Sequence, residues 1–438
     1  MRYPAFILVF FLCSAFSLPN NPPDIQRIIA DDLPYLIDFY KTRHKNPEIS
    51  LEEKETSATL AKELEKIGFT VTQNFGGYGI VGIFKNGNGP TILYRTDMDA
   101  LPMPEKTGLK YASTKTIQYK GAETGAMHSC GHDMHMTSWL GTARAMVKMK
   151  KEWKGTLMFI GQPAEEIGAG SKLMLDAGLY KKFGVPDYGI GLHCSPTIPA
   201  GQVGLAKGFT MANTESIDIK VFGRGAHGAS PHKSIDPVVL SSLMVMEFQT
   251  IVSRNVDPIE SAVLTVGSIT GGTKHNIIPD EVKMQITLRT FKEDVRQLIH
   301  KRIREIAKGV AISAGLPEDM YPEVIIPGFS TVPNYNNPEL VDQLSASAAK
   351  IIGSENVVYA APQMVAEDFS RYGQTEHKIP TVLYWLGTIP PDRQEAAARG
   401  ESIPALHSPY FYPDPKPSIE TGVTVTTQMM LDLFNTVN

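Results

Sequence analysis

The chain has 438 residues, 42% of them apolar and 20% charged, with a net charge of −4. That is enough to bury a sizeable core and, by length, to divide into roughly two or three domains. No basic patch or run of like charge marks a nucleic-acid or membrane-surface partner, which leaves small-molecule chemistry as the expected class.

The first seventeen residues, "MRYPAFILVFFLCSAFS", join Arg2 to an apolar run and end in small residues at Ala15 and Ser17. This is the pattern of a secretory signal cut after Ser17, so a secreted or periplasmic location is expected. The run is too short to span a bilayer comfortably, and an uncleaved anchor is the weaker alternative. Leu12 argues against lipid attachment at Cys13, because the residue before a lipidated cysteine should be small. Cleavage leaves Cys130 and Cys194. There is then no disulfide framework, although a single Cys130–Cys194 bridge stays open.

Further along, "DIQRIIADDLPYLIDFYKTRH" and "LEEKETSATLAKELEKIGF" repeat apolar residues at three- and four-residue spacing, which predicts two amphipathic helices. "GIVGIFKNGNGPTILYRTDMDALP" reads as two strands around an Asn-Gly turn. A helix through "HDMHMTSWLGTARAMVKMK", a strand "GTLMFIGQPAEE" running into acidic residues, and a strand "YGIGLHCSP" ending at a histidine follow. This alternation predicts an α/β fold with a mixed central sheet flanked by helices. From Thr214 the order becomes β-α-β-β-α-β, the split βαβ pattern of an inserted α+β lid. The segment after Val332 returns to α/β character. The expected division is a signal over 1–17, a catalytic domain over 18–213 and 332–438, and the lid over 214–331.

Two literal G-x-G-x-x-G matches, at Gly77–Gly82 and Gly223–Gly228, lack the strand-turn-helix setting that nucleotide binding needs. Both read as turns.

The densest chemistry lies in "AMHSCGHDMHM". Cys130 and His132 are two apart, so on an extended segment they point the same way. The following helix's N-terminal dipole favours a thiolate at Cys130. Thiolate beside imidazole suits Zn²⁺, while carboxylate partners would also admit Mn²⁺ or Co²⁺. No second C-x-x-C supports a structural zinc site. Asp97 and Asp99, Glu165 and Glu166, and His193 all fall at strand ends, where open α/β sheets bind ligands. Each has a plainer reading: turn formers at the aspartates, a solvated face at the glutamates, a core histidine at 193. Their convergence favours a metal site. Adjacent glutamates suit two-metal hydrolysis, since one can hold a cation while the other stays free as a base.

From about Ile29 onward the chain resembles the two-metal aminoacylase/carboxypeptidase amidohydrolases, in the branch of hippurate hydrolase and indoleacetyl-amino-acid hydrolases. The matching segments include "RHKNPEISLEEKET", "YRTDMDALPMPEKTG", "MHSCGHDMHM", "QPAEEIGAG", "GLHCSP", "GRGAHGASPHKSIDP", "HNIIPDEV", "MVAEDFS" and "LHSPYF". The resemblance implies two divalent cations per subunit, Zn²⁺ or Mn²⁺ with Co²⁺ as an alternative, on Cys130, His132, Glu166, His193 and His407. It implies Glu165 as general base and Asp99 as an orienting catalytic group. At Asp97 many distant relatives carry a metal-binding histidine, and His132 is expected to replace that imidazole. His227 would reach the oxyanion of a partner subunit in a homodimer formed through the lid, and Asn276 and Arg289 would hold the substrate. Without the resemblance, His227 reads as a turn histidine and Arg289 as a strand-face charge.

His128, His135, His232 and Glu367 lie in matched motifs without an assigned ligand role. Hydrogen bonds to His132 or its loop are expected of them. Met127, Met134 and Met136 are expected to pack in the core. The expected activity is hydrolysis of N-acyl amino acids such as N-benzoyl or N-acetyl derivatives. The alternatives are a metallo-carboxypeptidase or dipeptidase, and a metal-holding interaction protein that has lost catalysis.

Overall fold

The computed structural model describes residues 24–326 and 330–436. The signal reading of residues 1–17, with Cys13, lies outside them. Helix α1 (Ile25–Lys45) begins where the Asp24 carboxylate accepts the Gln26 N–H, and it ends on Arg43, His44 and Lys45, cations that suit the negative end of the helix dipole. Helix α2 (Lys54–Lys66) follows. Then come β1 (Thr70–Thr72), β2 (Ile80–Asn86), β3 (Thr91–Asp97), helix α3 (His132–Lys148), β4 (Gly155–Gln162), β5 (Tyr188–Pro199) and β6 (Val203–Leu205).

The chain next builds β7 (Glu215–Phe222), α4 (Pro237–Thr250), β8 (Ala262–Gly271), β9 (Glu281–Thr290), α5 (Glu293–Ser313) and β10 (Glu323–Ile325). It returns with α6 (Pro338–Ile352), β11 (Val357–Tyr359), β12 (Thr381–Ile389) and α7 (Pro415–Asn435).

The larger sheet has eight strands in the order β1-β2-β4-β3-β5-β12-β6-β11. Its middle four strands are parallel, and antiparallel pairs join β2 to β4 and β6 to β12, so the sheet is mixed. β12 is buried at every position, as a strand covered on both faces must be. One face packs Leu36, Trp139, Leu140, Val423 and Met430 from the long helices. The other packs Met174, Tyr180, Phe369 and Tyr372. The helices α1, α3 and α7 meet at Gly141, where an added Cβ would lie 2.5 Å from Val423 and 2.9 Å from Leu36. Met127, Met134 and Met136 are buried, as expected.

β2 and β3 do form on either side of the Asn-Gly segment, but they are not a hairpin. β4 lies between them, antiparallel to β2 and parallel to β3. Both strands around the Asn-Gly turn form as expected, and a buried strand from far along the chain takes the place between them.

The second sheet, β8-β9-β7-β10, is antiparallel throughout. Val282, Met284, Ile286 and Leu288 of β9 alternate inward against Met244, Phe248, Ile299 and Ile303, the period-two signature of a half-covered sheet. This core draws only on residues between Ile217 and Leu316. Two segments tie it to the larger sheet. The Thr214 N–H donates to Thr331 Oγ1 at 2.8 Å, and the Thr331 N–H returns to the Thr214 carbonyl at 3.2 Å. Beside them Glu215 is held by Arg296 at 3.0 Å and His300 at 2.5 Å.

Candidate active site

At the carboxyl ends of β3 and β4 the chain presents acidic groups toward the start of α3. The expected extended run through Cys130 and His132 is instead a tight turn: Gly131 is left-handed at φ 84° and His132 is the first helical residue. A Cβ at Gly131 would sit 2.9 Å from Cys194 Sγ, so only glycine lets the turn close. The turn brings the pair together just as an extended segment would have done. Cys130 Sγ lies 3.5 Å from His193 Nε2 and 3.2 Å from His407 Nε2. His407 itself has a left-handed backbone, φ 62°, and is tied down by its N–H to the Ser129 carbonyl at 2.9 Å. His193 does not end its strand, since β5 continues to Pro199.

The two glutamates follow Ala164, which is also left-handed at φ 53° and whose N–H donates to Glu53 at 2.7 Å. Asp99 accepts the N–H groups of Glu165 at 3.1 Å and Glu166 at 2.9 Å, and its Oδ1 is 3.4 Å from His132 Nδ1. Asp99 thus sets the direction of both glutamates and of one histidine. Glu166 comes within 3.7 Å of His132 and 3.3 Å of His407, and Glu165 within 3.9 Å of His132.

These donors fit a pair of cations. Among the described residues, Cys130, His132 and His193 form one group of converging ligand atoms; Cys130, Glu166 and His407 form another that shares the sulfur. Both ring nitrogens of His132 and one oxygen of Glu166 are buried without a hydrogen-bond partner, an arrangement that costs stability unless something binds them. Burial disfavours charge on His132, yet Asp97, Asp99 and Glu166 push its pKa up to about 10. Burial raises Glu166 to about 8. It also holds Glu165 well above the ordinary carboxylate range, with Glu367 and Glu166 adding to the effect.

The expected thiolate at Cys130 is corrected in one respect. Burial, then the Glu166 and Glu165 carboxylates, push the thiol well up, so the helix dipole does not outweigh them and the neutral thiol is favoured. Cys130 and Cys194 are both free thiols, so they do not form a bridge.

A cavity of about 590 Å³ opens at this cluster, and Arg289 is among the residues that line it. That guanidinium is about half-buried and its pKa is lowered by desolvation, with no acidic group among the described residues compensating it. His227 and Asn276 are not brought to the cavity of their own chain. They lie at a short two-stranded antiparallel ladder between distant segments, in which His227 pairs with Ile277, and His227 is exposed with its Nδ1 accepting the Ala229 N–H at 3.0 Å.

Sequence reasoning passed over two contributors. Glu53 orients the glutamate turn, and Arg95, buried in β3, binds Glu367 and Asp97 at 2.7 Å each. A lone arginine inside the apolar run "TILYRTD" was the available signal for the second. His135, expected to hydrogen-bond His132 or its loop, instead bonds Asp97 at 2.7 Å. Of the remaining motif residues, His128 is buried with both nitrogens unpartnered, and its pKa is pushed down to about 4 by burial. His232 sits exposed in a short helical turn.

Converging cysteine, histidine and carboxylate donors at the carboxyl ends of parallel strands in a mixed sheet make a site that fits a metal-dependent hydrolase. Residues 93–432 match Peptidase family M20/M25/M40, and the chain belongs to that family of hydrolases. It is 39% identical over 362 residues to an N-acetyldiaminopimelate deacetylase of Streptococcus uberis, covering 81% of this chain and 91% of that protein. It is 37% identical over 349 residues to a hippurate hydrolase of Campylobacter jejuni, covering 78% and 87% respectively. Its fold superposes with a TM-score of 0.73 on a Bacillus subtilis dinuclear metal-binding peptidase of the M20 family, at 29% identity over 93% of this chain and 99% of that one.

Proposed function

We propose that the chain hydrolyses the amide bond of N-acyl amino acids. The observation that carries this reading is Arg289, a half-buried cation without an ion-pair partner among the described residues, in the same cavity as the donor cluster. A free carboxylate on the substrate would pair with it and place the amide over the donors. Two divalent cations, Zn²⁺ or Mn²⁺ with Co²⁺ as an alternative, held by Cys130, His132, Glu166, His193 and His407, would supply Lewis acidity toward water and the amide carbonyl. Glu165, left free by its ligating neighbour, takes a proton from the attacking water and passes it to the departing amine. Asp99 keeps the glutamates aimed by holding their N–H groups. The same reading places the enzyme outside the cytoplasm, on the strength of the pattern in residues 1–17.

A dipeptide is the weaker substrate. Its ammonium group needs a free acceptor, and Glu215, the carboxylate on the lid side of the cavity, is already taken by Arg296 and His300. The test is a hydrolysis screen of N-benzoyl and N-acetyl amino acids against dipeptides, with each metal added. Turnover of the acylated substrates should dominate, and Arg289→Met should raise their KM by about 10- to 100-fold, the worth of a charge-assisted hydrogen bond. An unchanged KM, or a preference for free dipeptides, removes the reading.

His227 belongs in this reading only as a donor to the site of a second copy. The lid offers a face for one: Met246 on α4 is 70% exposed and Ile259, before β8, is 86% exposed. β8 is also an edge strand. Exposed apolar side chains beside an unpaired strand edge are what an isologous dimer covers. Mixing His227→Ala with Glu165→Gln should therefore restore about one quarter of wild-type activity, because half the dimers then hold one intact composite site. Two inactive variants that stay inactive in a verified mixed dimer would place His227 outside the chemistry.

A further inference from the structure

We propose that Arg95, Asp97 and His135 form a buried positioning chain that fixes which nitrogen of His193 faces the donor cluster and how firmly its strand holds it. The inference rests on the metal-site reading above and goes beyond it, since none of the three residues is among the five donors that reading names.

Arg95 and Asp97 are fully buried. Asp97 Oδ2 accepts from Arg95 at 2.7 Å, and Asp97 Oδ1 faces His135 Nδ1 at 2.7 Å. Arg95 is in turn clamped by Glu367 at 2.7 and 3.2 Å and by Asp368 at 3.2 Å. With a carboxylate on its Nδ1 side, His135 carries its proton there, and its Nε2 is left as an acceptor. That acceptor receives the Cys194 backbone N–H at 2.8 Å.

Cys194 is the residue after His193, and its carbonyl faces His193 Nδ1 at 2.9 Å. The backbone of Cys194 is therefore held on both sides, its N–H by His135 and its carbonyl by His193. His193 must donate from Nδ1, so its Nε2 is bare and points at Cys130 Sγ, 3.5 Å away. The His135 ring also packs against both His193 and His132, with centroids 4.7 and 5.2 Å apart. This accounts for an aspartate at position 97: both of its oxygens are committed to Arg95 and His135.

Asp97→Asn makes a specific disturbance. Its amide must offer an oxygen to Arg95 and therefore an N–H to His135. The His135 proton then moves to Nε2, which meets the Cys194 N–H head on and the bond is lost. His135→Leu loses the bond outright, whereas the amide of His135→Gln can donate to Asp97 and accept from Cys194. The readout is titration of the metal-free full chain with Co²⁺, following the visible absorption band and the dissociation constant, beside the melting temperature of the metal-free forms.

Asp97→Asn and His135→Leu should weaken Co²⁺ binding about 10- to 100-fold and shift the band, while His135→Gln stays near wild type in both. If all three bind Co²⁺ with wild-type affinity and spectrum, the proposal is wrong. It also fails if His135→Gln loses as much as His135→Leu. Wild-type chain that binds no Co²⁺ would instead remove the metal-site reading itself. Should Asp97→Asn not fold, the leucine and glutamine variants at 135 decide the matter alone.

Discussion

Glu165→Gln should lower kcat by about 10²- to 10⁴-fold, the usual worth of a positioned proton-transfer group, while leaving the bound metal unchanged. The glutamine keeps the size of the side chain and the backbone hydrogen bond to Asp99, so geometry is preserved and only the proton acceptor is lost. The separation from Glu166 is what makes the test sharp. Glu166 lies against both His132 and His407, so Glu166→Gln should release metal as well as activity. Metal content by elemental analysis, read beside kcat, distinguishes the two. Loss of metal in the Glu165 variant, or activity within a few-fold of wild type, would reverse the roles.

The second large effect is on stability. Arg95→Met removes the cation from a site where Asp97, Glu367 and Asp368 all lie within 3.2 Å of its nitrogens, with every side chain there fully buried. Leaving buried carboxylates without their partner typically costs about 3–5 kcal/mol. Part of that can be recovered by protonation: burial already holds Glu367 at about 7, so it can take up a proton more cheaply than its neighbours. Denaturant unfolding followed by the fluorescence of the buried Trp139 and Trp153 would measure the loss. A change under about 1 kcal/mol would mean that the cluster rearranges or admits water, so that its charges are not truly isolated.

The parts of this molecule that were legible in sequence are those written in local patterns. The β-α-β-β-α-β order of the smaller sheet's unit emerged because "EVKMQITLRT" alternates strictly while the helix after it buries Val295, Ile299, Ile303 and Ile306 at three- and four-residue spacing. The ligand cluster emerged because its residues sit in dense polar runs at the ends of apolar ones. What escaped was decided by partners distant in sequence. Nothing near Asn86 announces that β4 will separate β2 from β3. Cys130 and His132 meet through a left-handed glycine whose necessity comes from Cys194, 63 residues further on. Arg95 was hidden for a similar reason, since its meaning lies in Glu367 and Asp368 on another loop.

The order of strands in the large sheet also has a bearing on how the protein is made. β12 joins β5 with Thr381 opposite Gly189, and the whole lid is synthesised between the two. Such distant pairings form slowly, while a unit with its own core can fold as soon as it is complete. The lid is therefore expected to be finished while the middle of the large sheet still waits for its last parallel strand. His407 follows that strand, so the donor set closes only when nearly the entire chain is present. A truncated or stalled product would carry a folded lid, four of the five donors and an open sheet edge, and would be exposed to aggregation rather than active.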